Sequence, residues 1–260
     1  MWIRFLSGLA IALLLVACAV SPTGRSQLVL MPEDQLTRMG LQAFEQIKRK
    51  EPIENDPRIN AYVQCVVKEL TRDLGGSWEV VVFRSKQANA FALPGGKIGV
   101  YTGLLKVARN QHQLAAVIGH EIGHVLARHS NERVSQQFAL EQGLAVIQAI
   151  AAPQSSMGQL AMAALGLGAQ YGVLMPFSRI QESEADVIGL ELMAKAGFDP
   201  REAIQLWRNM ERLNPAGPPE WLSTHPSHET RIQELQAHLP RVLPLYQRAR
   251  AMGRRPNCRL

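Results

Sequence analysis

Residues Gly119–Arg128 read GHEIGHVLAR and place His120, Glu121 and His124 in the order H-E-x-x-H. On a helix, side chains four residues apart project from one face. Imidazoles at 120 and 124 can therefore hold one zinc ion, with Glu121 beside them to take a proton from a zinc-bound water. A pattern this short arises by chance, so the reading requires a helical context, a third ligand and a substrate groove. Asn110 and Gln113 supply a helix start of the capping-box type. Leu114, Ala115, Val117, Ile118, Ile122, Val125 and Leu126 supply its buried surface. Gly119 and Gly123 each cost about 1 kcal/mol relative to alanine in a helix interior. Their common face predicts close approach of another backbone. His129 is one position off the ligand spacing and reads as a surface or supporting residue.

A third ligand is expected from a second helix. Ser178 and Gln181 form another capping box, opening a helix that runs to about Lys195 and stops at Gly197. It carries Glu182-Ser183-Glu184-Ala185-Asp186. Alone, this run is a charged helix face. After an H-E-x-x-H helix, it offers Glu182 as a zinc ligand and Asp186, one turn on, as acceptor for the far nitrogen of a ligand histidine. Glu184 points about 200 degrees away from Glu182 and is expected in solvent.

The surrounding chain gives an α+β fold: a mostly helical, zincin-like arrangement with a small β-sheet beside the active-site helix. Helices are expected at Glu33–Lys50 and from Asp56-Pro57 to the Gly75-Gly76 break. Trp78–Phe83, Ala90–Leu93 and Lys97–Tyr101 read as strands, the last two as a hairpin around Pro94-Gly95-Gly96. An edge strand there can pair with an extended peptide. Gly95, Gly96 and Gly99 either leave room for that peptide or simply allow the turn.

Residues 134–175 are poor in charge and read as a helical hairpin, Leu140–Ala152 and Leu160–Leu174. Each falls short of the roughly 20 apolar residues of a spanning helix. A lid over the site, a membrane contact and a plain structural pair remain open. Later come a helix over 200–213, a Pro/Gly loop at Asn214–Pro219, Thr224-His225-Pro226 and a final amphipathic helix with Ile232, Leu235 and Leu239.

Residues 1–17 pair Arg4 with the apolar run Leu9–Val16 and read as a signal peptide. Leu15-Val16-Ala17-Cys18 resembles the bacterial lipobox, which implies cleavage before Cys18 and its lipidation; an uncleaved anchor or an ordinary secretory leader would fit the same run. Multiple acyl chains anchor stably, and Ala19 after the cysteine points to the outer membrane. Residues 18–30 then form a lipidated tether, 31–240 the metallopeptidase domain and 241–260 a basic, solvated tail. The net charge of +6 lacks a basic stripe with interleaved aromatics, which argues against nucleic acid. Cys65 and Cys258 either form a bridge in an oxidising compartment or stay as two thiols.

The chain resembles the HtpX-like and CaaX-prenyl-protease-type gluzincin metalloproteases, specifically their bacterial periplasmic lipoprotein branch. The resemblance rests on Asn89-Ala90-Phe91-Ala92-Leu93-Pro94-Gly95-Gly96, the 119–124 motif, Glu182-x-x-Ala185-Asp186, and Thr224-His225-Pro226 with Arg231. It implies one Zn²⁺ per chain held by His120, His124 and Glu182, with Glu121 as catalytic base. The family's usual role for Asp186 is catalytic; the spacing here favours orientation. His225 and Arg231 are candidates for the oxyanion donor, and His225 alternatively caps the zinc at rest. The expected function is a membrane-anchored endopeptidase acting on unfolded or misassembled envelope proteins, in quality control, from the periplasmic side of the outer membrane. The competing expectation is a non-catalytic envelope chaperone or assembly scaffold with structural zinc. The oligomeric state is left open.

Overall fold

The computed structural model describes residues 18–151, 178–213, 225 and 230–260. The expected leader and the second helix of the 134–175 hairpin lie outside the described residues.

Two short strands, β1 (Cys18–Val20) and β2 (Ser26–Leu28), pair antiparallel with Cys18 opposite Leu28. The expected tether is corrected by this pairing. The residues that suggested a linker are turn formers: the Gly24 N–H donates to the Ser21 carbonyl at 2.9 Å, with Pro22 in the bend and Gly24 at φ +92°. The hairpin is tied down, because the buried Gln27 amide donates to the Ala127 carbonyl at 2.6 Å.

Helices α1 (Glu33–Lys50) and α2 (Pro57–Thr71) follow. The Asp56 carboxylate caps α2 by accepting from the Arg58 N–H at 2.8 Å. Strands β3 (Glu79–Phe83), β4 (Ala90–Leu93) and β5 (Lys97–Tyr101) form a sheet in the order β3-β5-β4. β3 runs parallel to β5, and β4 antiparallel as the expected hairpin. β4 is an edge strand and packs beside helix α3 (Gln111–Leu126), which carries the motif. The Phe91 ring fills the space over Gly99, while Gly95 and Gly96 take left-handed φ at the turn. The turn therefore accounts for Gly95 and Gly96, and the Phe91 ring for Gly99.

The Asn110 side chain caps α3, accepting from the N–H groups of His112 and Gln113. The reciprocal half of the expected box is displaced: the Gln113 carbonyl oxygen accepts from the Arg109 N–H instead. Beyond α3 come α4 (His129–Ala151), α5 (Arg179–Ala196), α6 (Arg201–Leu213) and α7 (Arg231–Ala251). Ser178 and Gln181 make the expected full capping box on α5, and Gly197 ends it at φ +87°. Among the described residues no helix is long and apolar enough to cross a membrane.

Helix α3 is the hub. Its Leu114, Val117, Ile118 and Ile122 are fully buried, and it packs on α5, α6, α2 and β4. The approach of α5 is close. A Cβ at Gly123 would stand 2.8 Å from the Ala185 carbonyl oxygen, and one at Gly189 would stand 2.9 Å from the His120 backbone nitrogen. The glycines thus bring the His120/His124 face against the Glu182/Asp186 face, the return anticipated for their helical cost.

The basic tail is also corrected. Helix α7 continues through Pro240 and Pro244 to Ala251, burying Val242 and Ala249. Proline normally breaks a helix interior; packing on α5 and α6 holds this one. Past it, Cys258 is buried and joined by a disulfide to Cys65 of α2, with Cα atoms 5.7 Å apart. Gln111 brackets this end, donating to the Pro256 carbonyl and accepting from the Cys258 N–H. The bridge therefore forms, and it staples the C-terminal residues to an N-terminal helix.

Candidate metal centre

Helix α3 presents His120 and His124 on one face, with their Nε2 atoms 3.0 Å apart. Helix α5 presents Glu182, whose carboxylate oxygens lie 3.4 Å from His120 Nε2 and 3.3 Å from His124 Nε2. His225, from the segment ahead of α7, places Nδ1 2.9 Å from Glu182 Oε1 and 3.3 Å from His120 Nε2. One ligating atom from each of these four buried residues falls within 4.8 Å of all the others. Glu121 is buried beside them, its Oε1 3.5 Å from His225 Nε2. His120, His124, Glu182, Glu121 and His225 are thus brought together.

Behind His120, the Nδ1–H donates to Asp186 Oδ1 at 2.8 Å. Arg231, at 1% exposure, closes that side. Its Nε and Nη2 donate to the two Asp186 oxygens at 2.7 and 2.8 Å, and its Nη1 donates to Glu182 Oε2 at 2.8 Å. The guanidinium stacks 3.8 Å from the centre of the Trp207 ring. Arg231 therefore clamps the two carboxylates of α5.

Behind His124 lies an arrangement the sequence reading met only in part, since His129 takes the supporting alternative while Glu184 and Arg25 were not anticipated. Helix α3 ends at Leu126, and Arg128 turns the chain with a left-handed φ of 55°. His129 then points back, its Nδ1 2.8 Å from His124 Nδ1. Its Nε2 lies 3.1 Å from Glu184 Oε2. Glu184 was expected in solvent and is instead buried, accepting from Arg25 Nε at 2.8 Å and the Thr23 hydroxyl at 2.5 Å. The helical angle is as anticipated, away from Glu182, but the β1–β2 hairpin covers that side of α5. Arg25 also grips the buried Glu132 with both terminal nitrogens, at 2.6 and 2.7 Å. Local spacing holds no signal for these contacts. The hint was Arg128-His129 directly after a helix that need not continue.

The electrostatics suit a cation. Burial opposes charge on Glu182, but His120 and the hydrogen bonds from the surrounding imidazoles hold its carboxyl well below the usual range. Burial likewise opposes charge on Asp186, and Arg231 with His120 outweighs it. Burial lowers His120 too, yet Glu182 and Asp186 raise it to about 9, so a metal must displace a proton there. Burial drives His124 well below its ordinary value, into the neutral, ligating form. Once an incoming ion displaces the His120 proton, two ionised carboxylates face one guanidinium, which leaves negative charge to favour a divalent ion. Two or three imidazole nitrogens and a carboxylate form a donor set that fits zinc.

A model of peptidase family M48 matches residues 54–239. Human mitochondrial metalloendopeptidase OMA1 is 36% identical over 244 residues, 87% of this chain and 47% of the relative. The Schizosaccharomyces pombe mitochondrial metalloendopeptidase OMA1 is 39% identical over 184 residues, 69% of this chain and 52% of the relative. A Vibrio cholerae protein named putative beta-barrel assembly-enhancing protease is 32% identical over 223 residues, 82% of this chain and 46% of the relative. The chain spans about half the length of these relatives. The matched stretch contains both helices of the donor cluster, and on this ground the chain belongs to peptidase family M48.

Proposed function

We propose that this chain is a zinc-dependent endopeptidase that hydrolyses peptide bonds of cell-envelope proteins. The observation that carries the reading is the buried donor cluster of His120, His124 and Glu182 with Glu121 beside it. In this reading those three residues hold one zinc ion per chain and Glu121 is the catalytic base. When bound, zinc would supply Lewis acidity, lowering the pKa of a water toward neutrality and stabilising negative charge at the attacked carbonyl. Glu121 accepts the water's proton and returns it to the departing amine. Asp186 fixes the His120 ring through Nδ1, and Arg231 holds Glu182 and Asp186 in place and keeps Asp186 ionised. That role for Arg231 replaces the oxyanion role, because three of its nitrogens already donate to carboxylates. His225 lies among the ligand atoms, where it either caps the zinc at rest or serves as the oxyanion donor.

The finer reading is an HtpX-like periplasmic lipoprotein, anchored through Cys18 and facing the periplasm from the outer membrane. The leader pattern supports the anchor. The Cys65–Cys258 bridge supports an oxidising compartment. Bacterial relatives carrying the name beta-barrel assembly-enhancing protease support the envelope, with unfolded or misassembled envelope proteins as substrates in quality control. Lipidation requires acyl mass on Cys18 of the mature protein; an unmodified N-terminus there refutes it.

A purely structural zinc needs no carboxylate base, so Glu121 separates the enzyme from the scaffold reading. Zinc-loaded Glu121→Gln is expected to cleave an unfolded protein at least ~10²-fold more slowly than wild type. Cleavage at the wild-type rate by that variant, with zinc content verified, overturns the mechanism.

A further inference from the structure

We infer that Arg25, Glu184 and His129 are positioning residues for the metal centre: the N-terminal hairpin reaches through them to set the tautomer and orientation of His124. The inference rests on the reading of His124 as a zinc ligand.

The direction of each hydrogen bond follows from that role. His124 Nε2 faces the donor cluster, 3.0 Å from His120 Nε2, so it must present a lone pair and leave the proton on Nδ1. That Nδ1–H meets His129 Nδ1 at 2.8 Å, which accepts. His129 then carries its own proton on Nε2 and donates it to Glu184 Oε2 at 3.1 Å. Glu184 is an acceptor throughout, taking Arg25 Nε–H at 2.8 Å and the Thr23 hydroxyl at 2.5 Å as well. Every donor along this path meets an acceptor, and only one tautomer of each histidine satisfies it. A hydrogen bond on the far nitrogen fixes a ligand imidazole's orientation and raises its basicity. For His120 one carboxylate does this; for His124 the carboxylate acts through an intervening imidazole.

Packing alone does not call for this arrangement. His129 is 0% exposed and Glu184 5%, so both polar groups are costly unless paired. Arg25, 25% exposed at its side chain, supplies the compensating charge from a segment about 100 to 160 residues away in sequence. The fork of its guanidinium spans Glu184 of α5 and Glu132 of α4. It thereby joins the two helices that flank His124.

The test compares zinc affinity, read by competition with a chromophoric chelator, and the visible spectrum of the Co²⁺-substituted protein. His129→Phe and Glu184→Gln are expected to weaken zinc binding by about 10–100-fold and to alter the Co²⁺ bands. Arg25→Met is expected to weaken it by about tenfold, at the lower edge of the same range. His129→Gln, which can still accept from His124 and donate to Glu184, is expected to recover most of the loss. Gln27→Ala is the packing control: it removes the hairpin's hydrogen bond to the Ala127 carbonyl and a long 3.4 Å contact with Glu132, and leaves Arg25, Glu184 and His129 with their mutual hydrogen bonds. It is expected to lower the melting temperature and leave the Co²⁺ spectrum unchanged. Wild-type affinity and spectrum in His129→Phe, or the same spectral change in Gln27→Ala, overturns the inference. His124→Ala tells the two readings apart: if it retains zinc, the ligand assignment itself fails, and if it loses zinc while His129→Phe does not, only the positioning path fails.

Discussion

The two histidines of the H-E-x-x-H motif sit one turn apart on one helix, yet they are backed in different ways. Behind His120 stands one carboxylate, Asp186, gripped by one arginine, Arg231. Behind His124 stand an imidazole, a carboxylate and an arginine drawn from α4, α5 and the β1–β2 hairpin. The difference teaches how local and long-range order share one site. The His120 side is mostly written in the i, i+4 pattern of α5. The His124 side exists only once four separate segments have met.

The sharpest way to break this contrast is at Arg231, because its side is the drier one. Arg231→Met leaves Glu182 and Asp186 buried without their cation. Removing one partner of a buried ion pair costs about 3–5 kcal/mol. Chemical denaturation of the metal-free protein is expected to show a loss of that size, partly recovered by zinc. A loss below about 1 kcal/mol would show that the clamp is not holding the two carboxylates.

Asp186→Asn probes the orienting bond itself. The asparagine keeps the shape, but its charge no longer draws on His120 Nδ1–H. Zinc affinity is expected to fall by about 10–100-fold, with a smaller loss of stability than in Arg231→Met because Arg231 keeps its bond to Glu182. A smaller fall than that of Arg25→Met, which acts from farther away, would invert the proposed ranking of the two sides.

Both sides depend on the closeness of α3 and α5, and the glycines measure it. A Cβ at Gly123 meets the Ala185 carbonyl at 2.8 Å, whereas one at Gly119 meets the Gly189 carbonyl at 3.2 Å. Gly123→Ala is expected to destabilise by about 1–2 kcal/mol, overpacking outweighing the helix propensity gained. Gly119→Ala is expected to be near neutral, the gain of about 1 kcal/mol offsetting a small shift. Equal melting temperatures for the two variants would mean that the helices adjust freely at both positions.

What could be read from the chain follows the same division. The motif helix, the capping box at Ser178, the strands and the carboxylates of α5 are local patterns, and each lies where periodicity and caps put it. Gly119 and Gly123 announced a close neighbour without naming α5. Glu184 was misread because a helical angle gives direction, not what covers that direction. The turn formers at 21–24 were misread as a linker because a tight turn and a tether share their composition. The basic residues after 240 suggested a solvated tail, yet packing on α5 and α6 carries α7 through Pro240 and Pro244.

The smallest effect is expected at Arg128, the hinge on which the His124 side turns. Arg128 sits at φ 55°, a conformation that costs an ordinary residue about 1–2 kcal/mol. Its 3.6 Å ion pair with Glu33 is half exposed on both sides and contributes little. Arg128→Gly removes the local strain but adds freedom to the unfolded chain, worth about 0.5–1 kcal/mol in the other direction. The melting temperature is expected to hold or rise slightly, and zinc affinity to stay near wild type, because His129 keeps its place under Glu184. A clear loss of zinc affinity with unchanged stability would show that the Arg128 side chain, and not the turn it occupies, delivers His129 to His124.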